Sequence, residues 1–134
     1  MKSIFIKIAG ILNLITALIH TLAGQTDLVN PLISSEMEVQ QVGELVAVWH
    51  ITTVLLFLTS YFLLKAGFLG VAESNVSLIN FIAYLYLLSS LPFIISGFWF
   101  SIFAPQWILL LPIGLLLLIG IRKYRTHQLN VDRQ

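Results

Sequence analysis

The sequence predicts an all-α, four-helix transmembrane bundle, and two observations carry that prediction. The first is the placement of charge. Residues 8–26, 45–64 and 74–121 contain no Asp, Glu, Lys or Arg, and a helix needs about 20 apolar residues to cross the hydrocarbon core of a bilayer. The third run is long enough for two crossings, and Ala104-Pro105-Gln106 divides it. The second is composition: 58% of the 134 residues are hydrophobic and 10% are charged. Spans of about 3–23, 44–65, 76–103 and 106–121 use most of the chain, leaving one polytopic membrane domain over 1–134 and no room for a soluble one.

The first span carries Ala9, Asn13, Thr16, His20 and Gly24 at spacings of three and four, with Gly10 and Ala17 beside them. At about 100° per residue these share one face. Small side chains let membrane helices approach closely, so this face should meet neighbours while the Ile and Leu face meets lipid. The start of the chain also resembles a signal peptide, with Lys2, an apolar run and Leu22-Ala23-Gly24. We read it as an uncleaved first span.

Residues 25–44 form the one sizeable extramembrane loop expected, with Asn30-Pro31 as a turn. Ser35-Glu36-Met37-Glu38 fits a capping box, which places the start of the second helix near Glu36 and its inner end at Lys65. The third span contains Pro92, which removes one backbone donor and should kink it, with Ser89, Ser90 and Ser96 near the freed carbonyls. Phe98, Trp99, Phe100, Phe103 and Trp107 suit an interfacial belt. The fourth span has almost no polar side chain and is expected to be the most lipid-exposed.

Lys2, Lys7, Lys65, Arg122, Lys123 and Arg125 flank one set of span ends, while Asp27, Glu36, Glu38 and Glu44 lie at the other. The positive-inside rule makes the basic side cytoplasmic, so both termini are inside and the 25–44 loop is outside. A bacterial inner membrane is the expected location. There is no cysteine, which removes disulfide, thiolate-metal and thiol chemistry. The basic tail suits anionic lipid headgroups, and no nucleic-acid partner is expected.

The candidate site rests on two membrane-embedded histidines, His20 and His50, expected at similar depth on adjacent antiparallel helices. An ionisable side chain within a span is costly to bury, which makes it a functional candidate. Asn13, Thr16, Thr53 and Ser96 would line the site, and Gln25, Asp27, Glu44 and Gln106 would roof it. Trp49 also belongs to the ligand-contacting set, although helical geometry directs it to a different face from His50. Three uses fit the pair. They can transfer protons to and from a small hydrophobic ligand or lipid. They can be the axial ligands of a haem or part of a divalent-metal site, with a carboxylate supplying oxygen. Or they can simply hydrogen-bond across a helix interface in a scaffold subunit, with a second copy or another membrane protein as partner. No complete catalytic, cofactor or transport motif chooses among these.

Overall fold

The computed structural model describes residues 3–131. Among these, four helices are long and apolar enough to cross a membrane. The first comprises α1 (Ile4–Gly24), a widened π-type turn over Gln25–Val29, and the short α2 (Asn30–Ile33). The others are α3 (Val39–Leu69), α4 (Glu73–Phe100) and α5 (Gln106–Val131). An all-helical chain follows from the solvent. A bilayer offers no partner for backbone N–H and C=O groups, so each apolar run must satisfy its own.

The long first loop is much shorter than the sequence suggested. Asn30-Pro31 does not break the chain: Pro31 falls in the first turn of α2, directly after the widened turn over Gln25–Val29. The helical path therefore continues to Ile33, and only residues 34–38 connect it to α3. The expected capping box does not form. Ser35 donates its hydroxyl to Leu32 O at 2.7 Å, and α3 starts at Val39 without a side-chain cap. Gly70 ends α3 with φ 112°, a left-handed conformation that glycine adopts without steric cost. Ser101, at φ 52°, ends α4 three residues before the expected Phe103.

The helices pack in the order α3, α1, α5, α4, while α3 and α4 scarcely meet. α1 is central because of its small-residue stripe. Ala9, Gly10, Asn13, Thr16 and Ala17 are buried, whereas Ile8, Ile11, Ile15, Leu18 and Ile19 face outward. The matching faces are Leu56, Ser60, Leu63 and Gly67 on α3, Ile79, Ala83, Tyr86 and Ser90 on α4, and Ile113, Leu117 and Ile121 on α5. Each set repeats at helical spacing.

The fourth span is not the most exposed. Over its most apolar stretch 39% of α5 is buried, against 11% of α3. The reason is steric. Gly114 lies against Leu87 and the Ala83 carbonyl, and Gly120 lies against Ile6. These glycines let α5 wedge between α1 and α4, and they are a better guide to burial than the lack of polar groups.

Pro92 sits within α4 without ending it. Ser90 bonds Leu87 O at 2.6 Å, one residue before Leu88, the carbonyl that Pro92 deprives of its N–H. The antiparallel path gathers Lys7, Lys65 and Arg122–Arg125 at one end, together with Glu73. Asp27, Glu36, Glu38 and Glu44 gather at the other. Lys2 lies outside the described residues. Lys7 covers the Phe68 ring at 4.5 Å and Lys123 covers Phe5 at 4.4 Å, so both stems lie along apolar surface at the basic end. From Lys7 to Asp27, and from Glu44 to Lys65, the rise is about 30 Å at ~1.5 Å per residue, the thickness of a hydrocarbon core.

Candidate functional site

Two polar assemblies lie inside the bundle at different heights. The lower one ties three helices together. Tyr86 of α4 donates its hydroxyl to Asn13 Oδ1 at 2.6 Å. Asn13 Nδ2 donates to Thr59 Oγ1 of α3 at 2.9 Å, and reaches Leu56 O at 3.4 Å. Thr59 Oγ1 and Tyr86 OH are 2.8 Å apart, which closes the ring of three side chains. Asn13 has no exposed surface. All of these polar atoms have partners, which makes the network structural. It bridges α3 and α4, which otherwise hardly touch.

The upper assembly centres on His20, which is half-buried. Its imidazole stacks on the Trp49 indole, with centroids 3.9 Å apart and planes inclined by 12°. Its Nε2 lies 3.4 Å from Trp49 O. A carbonyl only accepts, so Nε2 carries the proton, and in the neutral ring Nδ1 keeps the free lone pair. The Trp49 carbonyl also accepts from Thr53 Oγ1 at 3.2 Å. Gly24, one turn beyond His20, makes room for the indole. A methyl placed on Gly24 would overlap the Trp49 ring. The expected Gly24→Leu phenotype is therefore expulsion of Trp49 from His20, read as a shifted and more quenchable indole emission.

Helical geometry alone directed Trp49 away from His20, yet Trp49 is the residue that packs on it. His50, one position further along α3, is exposed and does not line the cavity beside His20. A haem or metal held by His20 would bind through Nδ1, the ring nitrogen not engaged with the Trp49 carbonyl. Among the described residues no three His, Asp or Glu side chains are grouped to hold a metal ion.

A half-enclosed cavity of about 480 Å³ opens beside this stack. All four long helices contribute to its wall. The polar lining is Thr16, His20, Asp27, Thr52 and Gln106, together with Trp49. The rest is apolar, including Ile19, Leu56, Phe93, Leu109 and Leu110. α3 and α4, which scarcely meet, both line the cavity. Leu56, whose carbonyl faces Asn13, connects its wall to the lower network. From Asp27 down to Thr16 the rise along the helix is about 16 Å, roughly half the hydrocarbon thickness.

The remaining expected site residues divide as follows. Thr16 lines the cavity and bonds Leu12 O at 2.8 Å. Asp27 lies on the widened turn, is exposed, and accepts from Thr26 Oγ1 at 2.9 Å. Gln106 reaches the same cavity. Gln25 instead bonds Asn30 Oδ1 at 2.9 Å, and Glu44 accepts from Gln40 at 3.0 Å outside the cavity. Thr53 and Ser96 are half-buried without lining it, and Asn13 belongs to the lower network. Thr52 and Phe93 are lining residues the sequence did not single out. No family model matches the chain, and neither do any curated protein or solved structure.

Proposed function

We propose that this chain is a small integral membrane protein that binds one amphipathic small molecule or lipid in the cavity beside His20. The observation that carries this reading is the cavity itself. At about 480 Å³, with an apolar wall and a few polar groups, it has the size and lining of a small-ligand site. It also spans the depth of a single leaflet. The positive-inside rule places the Lys and Arg end in the cytoplasm, so the cavity belongs to the outer leaflet and both termini are inside. A ligand would slide laterally between α3 and α4 with its tail toward Thr16 and its polar head toward Asp27.

His20 is the group placed to do chemistry there. Its protonated Nε2 is held by the Trp49 carbonyl, which leaves Nδ1 as the basic atom. Acid–base action on a bound ligand would use that lone pair. The stacked indole fixes the ring plane and so the direction of proton transfer.

Ala23→Phe tests the binding reading. Ala23 is exposed and lines the cavity, so a larger side chain can enter without disturbing the packed core. Native mass spectrometry of wild-type protein released from mild detergent should show one retained amphiphile. The folded Ala23→Phe variant should lose it. Equal retention by both proteins, or none by the wild type after loading with lipid extract, would contradict the reading.

A further inference from the structure

We infer that the ligand is a single-chain cationic amphiphile, an alkyl amine or quaternary ammonium. This rests on the cavity being a ligand site, as proposed above. The argument is charge complementarity. Among the described residues Asp27 is the one carboxylate on the cavity wall, about two helical turns along the chain from His20. The sequence has no Lys or Arg between Lys7 and Lys65, nor between Lys65 and Arg122. The helix directions place all three of those residues at the opposite end of the bundle. Lys7 is about 30 Å from Asp27 along the helical path. Among the described residues no Lys or Arg at this end is therefore available to pair with an anionic head, His20 has its N–H on the Trp49 carbonyl, and Glu36, Glu38 and Glu44 make the local potential more negative. A phosphate or carboxylate head at this mouth would face carboxylate with no Lys or Arg beside it. An ammonium would pair with Asp27 while Gln106 offers its amide oxygen.

The apolar dimensions argue for one chain. The cavity wall runs from Asp27 through Ile19 and Leu109 to Thr16 and Leu56, and the Leu56 carbonyl meets Asn13 of the lower network. Its volume suits a single alkyl chain with a compact head.

The test uses full-length protein in phosphatidylcholine nanodiscs, with Trp99→Phe and Trp107→Phe leaving Trp49 as the sole indole. Dodecyltrimethylammonium, dodecanoate and dodecanol share a chain length and differ in head charge. Trp49 emission is titrated with each, on the parent and on its Asp27→Asn and Ala23→Phe derivatives. We expect saturable binding of the cation at least about tenfold tighter than of the carboxylate. Asp27→Asn should erase that preference and change dodecanol affinity far less than the cation's. Ala23→Phe should abolish saturable binding of all three. Equal affinity for cation and carboxylate, or an unchanged preference in Asp27→Asn, would overturn the cationic assignment while Ala23→Phe sensitivity kept the cavity as a site. Loss of saturable binding for every probe in the parent would overturn the cavity reading itself, and the assignment with it.

Discussion

Gly67→Ala should destabilise the bundle by about 1–3 kcal/mol although it adds only a methyl group. The added carbon would lie 2.7 Å from Lys7 Cα and 2.8 Å from Lys7 N. Both are backbone atoms, so no rotamer change relieves the clash, and α1 must move away from α3. Gly10 is the counterpart on α1, with its added carbon 2.9 Å from Leu64 N. These two glycines set the closest approach along the most extensive helix pair of the fold. Gly43 is the internal control: nothing lies within 4 Å of a carbon added there. SDS titration of protein refolded in mixed micelles should show a lowered midpoint for Gly67→Ala and Gly10→Ala and a near-normal one for Gly43→Ala. Equal midpoints for all three would mean that α1 and α3 do not pack this closely in solution.

Asn13→Leu should cost a comparable 1–3 kcal/mol or so, through a different cause. It strips the Asn13 oxygen from Tyr86 OH and leaves Tyr86 with only Thr59, whose hydroxyl is shared with the Leu55 and Leu56 carbonyls. Tyr86→Phe should cost less, about 1 kcal/mol, because the Asn13 amide keeps Thr59 and Leu56 O. The single mutants should not be additive. A double-mutant cycle between Asn13→Leu and Tyr86→Phe, read from the same unfolding titration, should give a coupling of about 0.5–1.5 kcal/mol. Additive effects would place the two side chains apart. Because this network is the main link between α3 and α4, its loss should also loosen the wall of the cavity above it.

Much of the fold was legible, for a clear physical reason. In lipid the helix-forming runs are also the charge-free runs, and the stripe from Ala9 to Ala17 marks the buried face of α1 directly. Element ends were less legible. Asn30-Pro31 suits either a turn or a first helical turn, and only tertiary context distinguishes them. The burial of α5 was misread because its lining is apolar on all sides. The informative residues there are Gly114 and Gly120, which matter for what they lack.

Part of the cavity lining was legible. His20, Thr16, Asp27 and Gln106 do share one cavity. The partner of His20 was not readable from periodicity. A 100° step separates Trp49 from His50, and which of them meets α1 depends on the roll of α3 about its axis. That roll is fixed far away, at Gly67 and Gly10, where the backbones meet. The one local signal was Gly24, four residues after His20, which leaves a gap the width of an aromatic ring. Phe93 and Leu109 reach the cavity from helices distant in sequence, and no local pattern announces them.

The account turns on a ligand seated within the bundle, beyond the lipid that coats its outside. The most direct measurement is photocrosslinking in a bilayer with a single-chain amphiphile that carries a diazirine along its tail, mapped by peptide mass spectrometry. The account predicts adducts on Ile19 and Ala23 of α1 and on Leu109 of α5, suppressed by excess unlabelled amphiphile and absent from Ala23→Phe. Labelling confined to the outward residues of α3, such as Val48, Ile51 and Leu58, and insensitive to competitor, would contradict it.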